Sequence, residues 1–414
     1  MLDPDYLLHI TEGAEDIAEN LHRDILDRII KRIQHRIGRG DSYILTAQDK
    51  WQLQVLTDAG YLLEDIQEAI AAATNLMQTE VAEAMEDAGV RAVEYDSEVY
   101  KASGLSPAPL DKSPVLIRIA QRNYEATMGE LENFTHTYAR AASQAYVTAC
   151  DTAYNLVMSG TVSYSQAVKE ALADIVNDGV AVEYFDEFGK LTRRDTIETA
   201  TMRAVRTGIS QATAQITDAR MEEMDWDIVL TSAHLGARPG DGGPNGTNHI
   251  WWQGRFFSRT GRTKQFPPFA KSTGYGSILG LCGANCRHSF SPGDGVHNPW
   301  DTDDLNFADQ RKAYEMQQRQ RALENRIRKT KRSVLSNKTA RDGAEDEASR
   351  AESDREYQRK AALLAKQNAT YNQFCKDNNL RKRAERVAIA QWDRHEAARA
   401  RAAAKKWNDT HEKK

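Results

Sequence analysis

Prolines are few, 10 in 414 residues, and ten of the 25 glycines crowd between Gly236 and Gly280. This excludes a collagen-like chain and a Pro/Gly-rich disordered one. No stretch approaches 18 consecutive apolar residues, so no membrane-spanning helix is expected. The opening residues, Met1-Leu2-Asp3-Pro4-Asp5, carry neither a basic nor an apolar segment, and no secretory signal is expected. Four cysteines are too few to staple so long a chain. Cys282 and Cys286, with three residues between them in a Gly-rich stretch, suit ligand chemistry in a reducing compartment. The chain has no H-E-x-x-H, no phosphate-binding loop and no G-x-S-x-G, and no nucleophile is paired with a base; an enzyme is not expected.

Charge is abundant and unevenly placed. Residues 311–414 carry 28 Lys and Arg against 15 Asp and Glu, a balance of +13, and residues 1–310 carry 27 against 45, a balance of −18. An acidic body with a basic end predicts a polyanion or an acidic protein surface as partner, with a solvated charged helix as the alternative. Arg326, Arg328, Lys329, Lys331 and Arg332 crowd two helical turns; Arg381, Lys382, Arg383 and Arg386 form a second cluster. Both are candidate contacts for nucleic-acid phosphates or for carboxylates of a partner protein, and residue type does not separate the two.

The length predicts two to four structural units. Ile17, Leu21, Ile25, Ile29, Ile33 and Ile37 recur every fourth residue and predict a helix ended by Gly38-Arg39-Gly40-Asp41. A second helical stretch is expected over 47–85 with a break near Gly60, then a linker over 102–114, where three prolines fall. Helices follow over 115–159 and 163–176, then a β-hairpin over 181–192. The stripe Val205, Ile209, Ala212, Ile216, Ala219 marks an amphipathic helix, and Trp226–Leu230 a short strand. Beyond Asn306 two narrow seams appear: Phe307, Tyr314, Leu323, Ile327 and Val334, then Tyr357, Ala361, Leu364, Tyr371 and Phe374. They predict long charged helices of coiled-coil type, interrupted at Asp342-Gly343 and loosely tied to the body. The expected fold class is mainly α, with a small α+β Gly-rich module and long charged C-terminal helices. Its expected organisation is an N-terminal helical region at 1–101, a linker at 102–114 and a helical region at 115–178. The α+β module with the Cys/His cluster follows at 179–300, and a basic helical tail at 301–414.

Chemistry concentrates in Cys282-Gly-Ala-Asn-Cys286-Arg-His288, with His234 and His249 upstream. Two thiols and an imidazole within seven residues suit a tetrahedral structural zinc site, with His249 or His234 as fourth ligand. Zinc would supply folding energy to a loop-rich module. The alternatives are two small buried cysteines in a glycine turn beside a backbone-bonded His288, or a local disulfide. Trp251-Trp252 reads as the miniature core of this module, with a base-stacking platform as the other reading.

Several motifs in order carry a resemblance: Thr231-Ser-Ala-His234-Leu-Gly-Ala-Arg238-Pro239, His249-Ile-Trp-Trp-Gln253-Gly254, Gly274-Tyr275-Gly276, and Gly280-Leu281-Cys282-Gly283-Ala284-Asn285-Cys286-Arg287-His288. Together they resemble the type 2 phage minor capsid proteins, a family similar in turn to the Mu F-like head-morphogenesis proteins. His249 and Gly254 match that group's His-x-x-x-x-Gly step, and Cys286-Arg287-His288 its terminal Cys-Arg-His. The resemblance implies a structural protein of a tailed-phage head, made in the host cytoplasm and carried in the virion. Its implied partners are portal and capsid proteins, its implied place near the portal, and its candidate roles head assembly, DNA packaging and ejection. DNA is a further candidate partner through the basic tail. It implies no catalysis. Two other function classes stand beside it: a zinc-dependent hydrolase or transferase delivered with the genome, which needs His234, His249 and a carboxylate to converge, and a nucleic-acid-binding packaging factor.

Overall fold

A computed structural model describes residues 1–37, 48–300 and 306–411. The helix end expected at Gly38–Asp41 lies outside the described residues. A short helix α1 (Tyr6–His9) precedes α2 (Glu12–Ile37), whose four-residue repeat buries Leu21, Ile25, Ile29, Ile33 and Ile37 on one face. The next helix, α3 (Gln48–Ala102), runs straight through Gly60 and 17 residues past Met85. One exposed glycine costs a helix about 1 kcal/mol. The buried stripe of Trp51, Val55, Leu62, Ile66, Ile70, Met77 and Val81 outweighs it. Gly104, at φ 80°, terminates α3 with the Leu105 N–H bonded to the Tyr100 carbonyl.

Residues 103–113 are irregular apart from a 3-10 turn at Leu110–Lys112. Pro114 then opens α4 (Pro114–Met158), a position where its missing N–H costs nothing. Ser163 caps α5 (Tyr164–Asp178) by accepting the Gln166 N–H at 3.3 Å. The expected hairpin forms from β1 (Val182–Phe185) and β2 (Leu191–Asp195), its turn closed by Asp186 Oδ1 accepting the N–H groups of Phe188 and Lys190. The amphipathic helix is α6 (Ile197–Glu223). The stretch rich in glycine folds as β3 (Ile228–Thr231), α7 (His249–Trp252), β4 (Phe256–Ser258), α8 (Phe269–Thr273) and β5 (Phe290–Pro292). Its three strands are antiparallel in the order β4-β3-β5, with Val229 opposite both Phe257 and Pro292. Three helices close the described chain: α9 (Phe307–Asp342), α10 (Glu347–Asp377) and α11 (Arg394–His411). The fold is mainly α with a small α+β part.

The chain divides into two compact units, each assembled from three separate segments. One comprises Met1–Glu15, Asn75–Glu132 and Thr199–Arg319. Its core joins Tyr100, Met221, Val229, Trp252, Phe257, Phe269, Leu281 and Phe290, with Cys282 and Cys286 among them. Asp227 fastens the chain after β4, accepting from Ser258 Oγ at 2.7 Å and from the N–H groups of Thr260 and Thr263.

The other unit comprises Asp16–Thr74, Asn133–Glu198 and Gln320–Lys414. Here the expectation of a loosely tied tail is corrected. The predicted seams bury Ile327 and Val334 of α9 with Tyr357, Ala361, Leu364 and Tyr371 of α10, and α11 adds Ala400 and Ala404 to the same core. Charge completes the packing. Arg332 reaches the buried carboxylates of both Glu19 and Glu198, and Arg328 lies 3.3 Å from the first and 3.4 Å from the second. Burial pushes the Glu198 carboxyl up, but Arg332 and Arg328 outweigh it and hold the group below the usual carboxylate range. Long arginine stems cover apolar surface while their heads find these acids, so few large apolar residues are needed. Removing the head leaves two buried carboxylates short of counter-charge, and Arg332→Ala is expected to lower stability by about 3–5 kcal/mol in urea unfolding of the full chain. A loss below about 1 kcal/mol would show that the pairs behave as exposed ones do.

Candidate metal centre

The centre lies in the first unit and is built from two loops. In the first, Asn248 caps α7, its Oδ1 accepting the Trp251 N–H at 3.3 Å, so that His249 opens the turn and Gln253 follows one turn on. The second loop runs from Gly274 to His288 and lays backbone directly on backbone. A Cβ on Gly280 would sit 2.0 Å from the Gly274 carbonyl oxygen, and one on Gly283 would sit 2.4 Å from that of Ile278. No other residue fits at either position. Cys282 and Asn285 adopt φ of 59° and 57°, a conformation that Asn tolerates and that a cysteine reaches only under constraint. These two reversals turn Cys286 and His288 back toward His249.

The result is a sulfur between two rings. Cys286 Sγ lies 3.8 Å from His249 Nδ1 and 3.7 Å from His288 Nδ1, and all three ligand atoms fall within 4.8 Å of one another. A tetrahedral zinc with ordinary Zn–S and Zn–N bonds places such a sulfur about 3.5 Å from each nitrogen. The outer nitrogens are already assigned. His249 Nε2 is 2.9 Å from the Leu279 carbonyl, which only accepts, so Nε2 carries the proton and Nδ1 the lone pair. His288 Nε2 lies 3.0 Å from Gln253 Oε1, and that oxygen also accepts the His234 backbone N–H at 3.0 Å, which fixes the amide's orientation. His288 therefore points a lone pair at Cys286 as well. Outer-nitrogen bonds to carbonyls of this kind are how proteins orient imidazole ligands.

The surroundings are dry. Trp252 is fully buried, its Nε1 donating to the Gly246 carbonyl at 3.0 Å, and its ring meets those of His249 and His288 at 4.6 and 4.8 Å. Trp251 is half-buried, so the pair divides between core and surface on the α7 turn. Burial holds the His249 imidazole down at about 4, and burial followed by the charges of His234, His249 and Arg287 holds His288 well below its ordinary value. Burial raises the Cys286 thiol. Both imidazoles are thus neutral donors at pH 7, and a cation bound here would displace the thiol proton.

Cys282 stands apart from the three-ligand group. Its thiol donates to the His288 carbonyl at 3.6 Å, an oxygen that Cys286 Sγ also approaches at 3.9 Å. His234 stacks on His288 at 4.4 Å, with its Nδ1 3.0 Å from Arg287. Asp241, the nearest carboxylate in sequence, is spent on its own turn, bonded to Gly243 N–H and the Asn245 amide. Among the described residues no carboxylate joins the cluster. Two contributors were missed from sequence. Gln253 sets the tautomer of His288, and Arg238 binds the carbonyls of Ala284 at 2.8 Å and Leu279 at 3.4 Å, clamping the cysteine loop. The four-residue step from His249 to Gln253 was the available signal.

The basic candidates lie elsewhere, in the second unit. Arg328 and Arg332 meet Glu19 and Glu198, Lys329 meets Asp178, and Lys331 meets the Val387 carbonyl and lies 5.5 Å from the Trp392 ring centre. Arg386 lies 3.7 Å from buried Glu324, and Arg383 donates its N–H to Tyr371. Arg326, Arg381 and Lys382 are exposed.

Gln253 satisfies two buried donors at once. Gln253→Leu orphans both, and each should cost about 1–3 kcal/mol, read as a lower midpoint in thermal or urea unfolding. An unchanged midpoint would show that the amide orients nothing.

Compared with known proteins, residues 2–366 match the family described as phage minor capsid protein 2. No curated protein and no solved structure matches the chain.

Proposed function

The chain belongs to the phage minor capsid protein 2 family, and from that premise we propose that it acts as a structural component of a tailed-phage head, seated beside the portal during head assembly. The family match, which covers most of the chain, carries the reading. Membership makes it a phage structural protein of the virion, with other head proteins as its partners. The placement at the portal and any part in packaging or ejection belong to the proposal. The exposed Arg326, Arg381 and Lys382 are the residues of the basic clusters left to contact a head protein or DNA. Cross-linking in purified heads tests the placement. Cross-links from this chain chiefly to portal subunits are expected, and cross-links spread evenly over the major capsid lattice would overturn it.

The same proposal gives the Cys/His cluster a structural zinc held by His249, His288 and Cys286. Cys282, whose sulfur shares the His288 carbonyl with that of Cys286, would be the fourth donor after a side-chain rotation. The metal would tie the α7 turn to the cysteine loop. The hydrolase alternative has less support, because its carboxylate is absent from the cluster among the described residues and Trp252 walls the site. Elemental analysis of purified native chain is expected to find zinc at about one per chain. Cys286→Ala and His288→Ala should each lose it, and Cys282→Ser should weaken retention against a chelator. Native protein without zinc sinks this part of the proposal and leaves the placement in the head untouched.

A further inference from the structure

The first unit carries an apolar groove that the functions above do not use. It encloses about 970 Å³, lies between the C-terminal half of α3, the 107–111 turn and the first turns of α4, and has Ile216 of α6 at its base. Met85, Gly89, Val93, Ile117 and Ala120 form its floor. Val90 and Ile117 are more than a third exposed there. The lining residues of α3 run from Ala82 to Lys101, a length of about 28 Å at helical rise. That is a trough for a helix of about five turns and too long for one compact small molecule.

Two features show that the trough is kept open and signed. The first is Gly89. A Cβ there would make ordinary contacts, 3.7 Å from Leu110 and 3.8 Å from Ile216, so packing does not demand a glycine. A glycine inside a helix costs about 1 kcal/mol relative to alanine, and its effect here is a deeper floor. The second is the rim. Glu86, Glu94, Glu98 and Asp111 edge the groove against one lining cation, Lys101, and Asp111 is paired with Lys112 at 3.4 Å. Glu94 and Glu98 are like charges four residues apart, an arrangement that destabilises a helix. Among the described residues Glu86, Glu94 and Glu98 form no ion pair.

We propose that this groove receives an amphipathic helix of a partner protein whose apolar face is flanked by Lys or Arg. Apolar residues at i, i+3, i+4 and i+7 would fill the floor, and the flanking cations would meet the glutamates. The acidic rim repels nucleic-acid phosphates and anionic lipid headgroups, which argues against both as occupants.

The test uses the full chain and a fluorescein-labelled helical peptide of about 18 residues with a leucine face and flanking lysines, followed by fluorescence anisotropy. Binding that weakens with salt is expected. The same peptide with glutamates for lysines should not bind. Glu94→Lys/Glu98→Lys and, separately, Val90→Asp should each weaken binding at least about tenfold while leaving the circular dichroism of the chain unchanged. Glu64→Lys/Glu68→Lys, the same charge change elsewhere on α3, should leave binding intact. Equal binding of both peptides, or equal losses for the groove and control variants, overturns the proposal. So does a wild-type dimer in sedimentation that Val90→Asp dissociates, which would assign the groove to a second copy.

Discussion

A buried imidazole has two nitrogens to satisfy, and the glycine-rich module is arranged around doing so twice. His249 and His288 each give one N–H to a carbonyl and turn the remaining lone pair toward Cys286. Much else in the module follows from this. Leu279 must present its carbonyl, so Arg238 clamps the loop that carries it. Gln253 must keep its oxygen inward, so the His234 N–H holds it there. The loop must double back within a few residues, which requires backbone against backbone at Gly280 and Gly283. A segment that looks like loop by composition is thereby as tightly specified as a helical core.

The second unit meets a comparable constraint with ions. Glu19 and Glu198 sit where water is excluded, and a carboxylate left alone there would be strongly destabilising. Arg332 and Arg328 converge on both. Such a network adds little net stability over an apolar core of the same shape, yet it sets which helix faces meet. Part of the positive charge of the C-terminal third is thus taken up inside this unit, at Arg328, Arg332 and Arg386, while most of its described cations, Arg326, Arg381 and Lys382 among them, stand at the surface.

A structural role in a phage head is consistent with sites of this kind. The Cys/His centre is walled by Trp252, and among the described residues no carboxylate joins it. The acidic groove of the first unit has the opposite character, open and apolar with unpaired charge at its edge, as expected of a surface that another chain covers. The protein thus separates a closed, self-satisfied centre from an unsatisfied face.

What the amino-acid order determined alone is whatever depends on neighbours three or four residues apart. The isoleucine stripe of α2, the helices beginning near 115 and 163, the hairpin over 181–192 and the seams of α9 and α10 were all legible for that reason; His249, Cys286 and His288 were singled out by residue type, and the fold brings their ligand atoms within 4.8 Å of one another. Tertiary structure decided the rest. Gly60 did not break α3, because a buried stripe over many turns outweighs one weak position. Cys282 fell outside the ligand group, because its left-handed backbone aims the thiol at the His288 carbonyl. Gln253 and Arg238 entered the centre, and Arg332 left the surface, through partners 35, 46 and 313 positions away in the chain. Local periodicity records which face of an element is apolar. It carries no record of which distant charge or carbonyl will stand opposite that face once water is gone.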